Sequence, residues 1–282
     1  MLNAVKSADL AQEIRDEIEN NEIQLPTLPE VALQLRDEVE RENANAATIA
    51  RMVANDAALS ARLLQVANSP LYRGRNEIDS IQQAVTRLGL KMVRSLVVSL
   101  AMKQIFQATS DALDRQFRSI WDDSLQVAAI SRVLAHNVPE LEKEQAMLGG
   151  LIHNIGALPI LTKVDEHCGF SANEGTIVRL IDELAPTIGA RILRHWNFAE
   201  SLANIPTACQ DPSYDPGPAA TYADIVLVAR LQNLFAKGGP DACGDWAEVT
   251  AFAKVGMDPE MVIVDMEGPA EEIAEVRSML EG

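Results

Sequence analysis

The stretch Gly150-Leu151-Ile152-His153-Asn154-Ile155-Gly156 decides how the rest of this chain is read. Three apolar residues lie between two small glycines, which predicts a helical segment that packs in the core. At its centre an imidazole stands beside a carboxamide. The imidazole is a ready metal ligand, but asparagine offers only a neutral carbonyl oxygen, not the anionic carboxylate that divalent cations favour. A metal site centred here would therefore need donors from elsewhere in the chain.

Outward from this stretch, nearly every segment repeats its apolar residues at three-to-four-residue spacing, and no alternating strand-type run separates them. The chain reads as all-α, a multi-helix bundle. A first helix carries Leu10, Ile14 and Ile18; a second opens at Leu28-Pro29 and places Val31, Leu35 and Val39 on one side. Helices over Ile49 to Val53 and Leu59 to Ala67 follow, the latter capped by Asp56 and stopped at Asn68-Ser69-Pro70. After a loop through Tyr72, Arg73 and Arg75, Ser80 is expected to cap a short helix that ends at Gly89, and Lys91 to Phe106 forms a longer one. Further helices are expected over Phe117 to His136, Glu142 to Leu161, Thr176 to Ala185, Pro186 to Trp196, Tyr222 to Phe235, Trp246 to Lys254 and Ala270 to Leu280. The division is read as an N-terminal helix (1–24), a helical subdomain (25–110), a second helical subdomain (111–240) and an acidic C-terminal extension (241–282).

Charge narrows the function. Twenty-four Lys and Arg against 41 Asp and Glu give a net charge of −17, which opposes general association with nucleic acid or anionic lipid. From Asp241 onward there are eleven acids against Lys254 and Arg277, whereas Arg62 to Lys103 holds seven bases against Glu77 and Asp79. Within that basic island Arg73, Arg75, Arg87, Lys91 and Arg94 form a candidate partner-binding surface. Cys168, Cys209 and Cys243 are scattered and odd in number, which argues against a disulfide framework or structural zinc and for a reducing, cytoplasmic compartment. The longest uncharged apolar stretch, near Ser95 to Met102, is too short to span a bilayer. No phosphate loop or nucleophile motif is present.

An ordered series of short motifs carries a family resemblance: Leu25-Pro26-Thr27-Leu28-Pro29, Asp56-Ala57-Ala58-Leu59, Leu63-Leu64, Ala67-Asn68-Ser69, Ser80-Ile81-Gln82-Gln83-Ala84 and Leu88-Gly89, then Trp121-Asp122-Asp123-Ser124 with Ala128, and Gly150 to Gly156. They resemble the HDOD domain over roughly residues 25 to 235, with Gly189 and Trp196 as weaker matches. The resemblance implies an HD-domain-like helical fold, descent from HD and HD-GYP metal-dependent phosphohydrolases, and a bacterial signalling role after loss of metal-binding residues.

Carried over residue by residue, the resemblance places Asp123 where the first histidine is expected, keeps His153 and substitutes Asn154 for the paired aspartate. It puts Ala185 at the next histidine, Cys209 and Gln210 near the paired histidines, and Arg230 near the final aspartate. One ligand survives, and an arginine adds a positive charge where a cation would sit. Asp123, His153, Asn154 and Arg230 thus outline a vestigial pocket in which Asp123 and Arg230 are expected to neutralise each other. A lone histidine on an apolar helix is more often a hydrogen-bonded core residue than a ligand, and Trp121, Trp196 and Trp246 read as core.

The function expected is non-catalytic bacterial signal transduction through protein contacts linked to nucleotide signalling. No metal or cofactor is expected, and the partners are signalling proteins. Two alternatives stand beside it. One is a metal-dependent phosphohydrolase using Asp123, His153 and Asn154 as atypical ligands. The other is a DNA-binding regulator, since Ala84 to Arg94 faintly imitates a helix-turn-helix.

Overall fold

The computed structural model describes residues 2–20, 22–41, 44–105, 114–168, 174–238 and 246–281. Among them there are helices and no strands. The first six helices are α1 (Leu2–Glu19), α2 (Glu30–Glu40), α3 (Ala46–Ala54), α4 (Ala57–Ala67), α5 (Ile81–Leu88) and α6 (Leu90–Ile105). They are followed by α7 (Asp114–Leu134), α8 (Lys143–Ile152), α9 (Ala157–Cys168), α10 (Glu174–His195), α11 (Glu200–Ala203), α12 (Ile205–Ala208), α13 (Tyr222–Gly238), α14 (Thr250–Lys254) and α15 (Pro269–Glu281). The break expected near residue 110 and the cysteine at 243 lie outside the described residues.

Local chemistry sets several boundaries. The Asp56 carboxylate accepts a hydrogen bond from the Leu59 amide at 3.0 Å, and Asn45 accepts from Ala47 at 2.8 Å, so both answer amides that a helix start leaves unpaired. Ser80 precedes α5 but makes no side-chain capping bond. Gly89 adopts φ 77°, ψ 158°, and its amide bonds the Val85 carbonyl at 2.9 Å while its carbonyl receives the Val93 amide at 3.1 Å. This one glycine ends α5 and starts α6, with a positive φ that a β-carbon would penalise.

Two expected elements differ. The segment Glu142 to Leu161 is not one helix: α8 stops at Ile152, a tight turn spans residues 153–156, and α9 begins at Ala157. The residues from Thr176 to Trp196, expected as two helices, form the single α10 with Pro186 inside it. Proline there removes one intrahelical bond at a cost of about 3 kcal/mol. Buried Leu184, Ala185, Ile188, Ile192 and Leu193 on both sides anchor the helix across it. The two short helices α11 and α12 had no counterpart in the periodicity, being only a turn each.

One continuous apolar core runs from Leu10 to Leu280 and includes residues from every stretch assigned to a subdomain. Its centre is the packing of α7 on α8, with α13 and α15 against α7, and α6 on α8. Glycines permit the closest approaches. A β-carbon on Gly150 would come within 2.6 Å of the Ala128 Cα, and one on Gly156 within 2.0 Å of the Ala185 carbonyl oxygen. Lys143–Glu166 is long and apolar enough to cross a membrane by length and composition, but 83% of its most apolar window is buried within the fold, and the turn at 153–156 interrupts it.

Both ends of the chain are fastened to its middle. Lys163 pairs with Glu17 at 2.6 Å, Arg191 donates to the Ile18 carbonyl, and Trp196 Nε1 donates to the Pro26 carbonyl at 2.9 Å. At the other end, Arg62 donates to the carbonyls of Ser278 and Met279, Ser99 to that of Leu280 at 3.5 Å, and Lys103 to that of Glu281 at 2.5 Å. The last-turn carbonyls of α15 are thereby satisfied by donors from α4 and α6, and Arg62 and Lys103 set positive charge at the negative end of the helix dipole.

Candidate functional site

His153 follows the last residue of α8 and enters the turn with helical backbone angles. Because Gly150 lets α8 lie directly on α7, the imidazole is only 4% exposed. Its Nδ1 lies 2.6 Å from the Gly150 carbonyl oxygen. A carbonyl only accepts, so Nδ1 carries the proton. Burial pushes the His153 pKa down to about 4; the bond to Gly150 works against that shift, and the nearby Arg230 guanidinium adds to it. The ring is neutral at ordinary pH.

The surroundings continue this pattern. Arg230, on α13, donates to the Cys209 carbonyl at 3.5 Å. The Cys209 thiol is fully buried, and desolvation raises its pKa to about 12 while Arg230 pulls the other way. It remains a thiol rather than a thiolate. Asn154 is half-buried in the turn, and its carbonyl receives the Ala157 amide at 3.0 Å. Ala185 supplies the carbonyl against which Gly156 rests.

Asp123 is not paired with Arg230. It forms an ion pair with Lys237, seven residues after Arg230 on α13, and accepts a long hydrogen bond of 3.4 Å from Asn233, three residues after it. The expected Asp123–Arg230 neutralisation is therefore replaced by Asp123–Lys237. An amine two turns farther along the same face of α13 captured the carboxylate, which sequence spacing alone could not foresee.

These residues do not fit a divalent metal. Such an ion needs several converging anionic or imidazole donors. Here a neutral imidazole and a protonated thiol lie near a guanidinium, and among the described residues no group of three or more His, Cys, Asp or Glu converges.

The basic island separates in three dimensions. Arg73 and Arg75 are exposed. Arg87 instead reaches inward, donating to the carbonyls of Ala67 at 3.1 Å and Asn76 at 2.9 Å. There it braces a loop that Asn68 closes through its paired bonds to Ile78, of 2.7 and 3.0 Å. Lys91 pairs with Glu142, and Arg94 is 5% exposed with its guanidinium 5.1 Å from the Phe198 ring centre. Arg87 and Arg94 are thus held by the fold, whereas Lys91 stays half-exposed beside Glu142. The same burial removes the helix-turn-helix reading, because α6 carries a run of buried residues from Met92 to Ser99 and offers no face to a DNA groove.

The sequence reading missed a second charged cluster. Arg132, on α7, is buried, pairs with Glu272 of α15, lies 3.9 Å from Glu144, donates to the Tyr72 hydroxyl at 3.1 Å and sits over the Tyr72 ring. Desolvation is the main cause of the raised Tyr72 pKa. The only sign in the sequence is a base inside the apolar run Ala128 to Leu134. Trp196 and Trp246 are buried as expected, the latter stacked on Phe252 at 5.3 Å, while Trp121 is half-buried at the core edge.

Comparison with known proteins places this geometry. The HDOD domain pattern matches residues 25–212. The chain is 27% identical to a Shewanella amazonensis protein provisionally named a metal-dependent phosphohydrolase, covering 99% of this chain and 100% of that one with a TM-score of 0.83. An HDOD domain protein of unknown function from Geobacter sulfurreducens superposes with a TM-score of 0.69 over 99% of this chain and 98% of its own, at 20% identity, which speaks for the fold alone. Among curated relatives, an uncharacterised Treponema pallidum protein is 24% identical over 71% of this chain and 39% of its own length. The Vibrio cholerae cyclic di-GMP phosphodiesterase CdgJ is 31% identical over 45% of this chain and 28% of its own. The chain therefore spans well under half the length of either curated relative.

Proposed function

Because this chain belongs to the HDOD family, we propose that it is a bacterial signal-transduction module that works in the cytoplasm through protein contacts and not by hydrolysis. The observation that carries the reading is the state of His153. The ring is buried and neutral, its Nδ1 proton is committed to Gly150, and the Arg230 charge disfavours a second cation beside it. The glycines at 150 and 156 serve helix approach, so the segment has a structural use independent of chemistry. The name of the Vibrio cholerae relative supports a place beside cyclic-dinucleotide signalling, where this chain acts on partner proteins.

The test is elemental analysis of the purified full chain, joined to turnover assays with Mn2+, Mg2+ and Fe2+ on cyclic di-GMP and on a generic phosphodiester. The expected result is no stoichiometric metal and no turnover above buffer. Bound metal at one or more ions per chain, with turnover that disappears in His153→Ala, overturns the reading.

A further inference from the structure

A cavity of about 460 Å3 opens between the end of α7 and the segment leading into α15. It shares no lining residue with the surroundings of His153. Its apolar wall consists of Val133, Leu134, Met257, Met261, Ile263 and Met266. Its polar lining is His136, Asn137, Asp258 and Glu272. The volume falls in the range of small-molecule sites, and three methionines form a wall that adapts to varied apolar shapes.

The wall is braced. Fully buried Gln232 on α13 donates to the Met261 carbonyl at 3.0 Å and accepts from the Ile263 amide at 2.9 Å. Gly256 (φ 64°) and Gly268 (φ 89°) begin and end this segment at positive φ, so the chain turns sharply at both rims. Such bracing keeps the cavity open before any ligand arrives, which lowers the ordering cost of binding.

The charges at the site specify the ligand. Arg132 and His136 both engage Oε1 of Glu272, His136 at 3.2 Å, and Oε2 takes no hydrogen bond among the described residues. The Oδ1 of Asp258 accepts the Glu260 amide at 2.9 Å, and its Oδ2 likewise has acceptor capacity left. Arg132 offsets the Glu272 charge, so the exposed Asp258 carboxylate, which has no ion pair among the described residues, is the charge that favours a cation over an anion here, with Glu272 Oε2 as a further acceptor.

The geometry points to a binding site for an amphiphilic small molecule with an apolar body and an ammonium group, lodged against Met257, Met261 and Met266 with its charge toward Asp258 and Glu272. This is independent of the signalling role proposed above.

Titration of the full chain with dansylcadaverine, an apolar fluorophore bearing a primary ammonium, tests it against the anionic N-dansylglycine. Saturable, blue-shifted emission at one probe per chain is expected, with dansylcadaverine bound roughly tenfold more tightly than dansylglycine, the scale of one charge-assisted contact. Met261→Trp, at a position 44% exposed and therefore tolerant of bulk, fills the mouth and is expected to abolish binding. Exposed Asp258→Asn retains the fold and is expected to erase most of the preference for the cation. Absence of saturable binding, equal or tighter binding of dansylglycine, or undiminished binding by folded Met261→Trp protein overturns the proposal.

Discussion

Nδ1 of His153 lies 2.6 Å from the carbonyl oxygen of Gly150, three residues earlier in the chain. The bond turns a residue that resembles a metal ligand into part of the end of α8. It fixes the tautomer, satisfies a carbonyl that the helix terminus leaves unpaired and holds the ring inside the core.

That burial gives a pH dependence with a definite sign. The folded-state pKa of about 4 lies below the ordinary imidazole value of 6.5, so the unfolded chain binds the proton more readily. Stability from this group is complete above pH 6.5 and falls as pH drops from 6.5 to about 4, by ~3 kcal/mol in all. Urea titrations of wild type and His153→Gln between pH 7.5 and 4 check this. The difference between the two curves should change across that window, and a constant difference would refute it.

Neighbouring glycines should respond unequally to alanine. The added β-carbon of Gly150→Ala meets backbone, the Ala128 Cα at 2.6 Å, whereas that of Gly149→Ala meets the far end of the Ile205 side chain at the same distance. Backbone cannot swing aside, so Gly150→Ala is expected to cost about 3 kcal/mol and Gly149→Ala about 1 kcal/mol. Thermal unfolding of both variants measures the gap.

The Arg132–Glu272 pair fastens α15 to α7 at a site where Arg132 is only 6% exposed. Glu272→Gln should destabilise by about 2 kcal/mol, since Arg132 keeps only the more distant Glu144. The double change Arg132→Met, Glu272→Gln should recover part of that loss, because no uncompensated buried charge remains. A double-mutant cycle with no coupling would show that the pair contributes nothing.

Arg62 predicts a local effect. It donates to the Ser278 and Met279 carbonyls from α4, so Arg62→Met should loosen the end of α15 at a cost of about 1–2 kcal/mol. Hydrogen exchange should accelerate in residues 275–281 before the rest of the core responds. Arg73→Glu with Arg75→Glu, by contrast, should leave stability within about 0.5 kcal/mol of wild type, as exposed positions do.

The sequence by itself determined the helical class, the stripes that became core and the family. Periodicity of Leu10 and Ile14, the Asp56 cap and the motifs from Leu25 to Gly156 are local signals, and local signals survive in one dimension. The family resemblance sets Asn154, Ala185 and Arg230 at positions where metal ligands are expected, and residue type alone decides their donor chemistry. Tertiary structure decided which charges meet. Asp123 went to Lys237 instead of Arg230, Arg94 was buried against Phe198, and Arg132 found Glu272 at a sequence separation of 140. It also decided that α10 runs through Pro186 and that α8 stops at Ile152. Those outcomes depend on the burial and backbone approach that distant helices supply, and they outweighed the local preference of a proline or a periodic run.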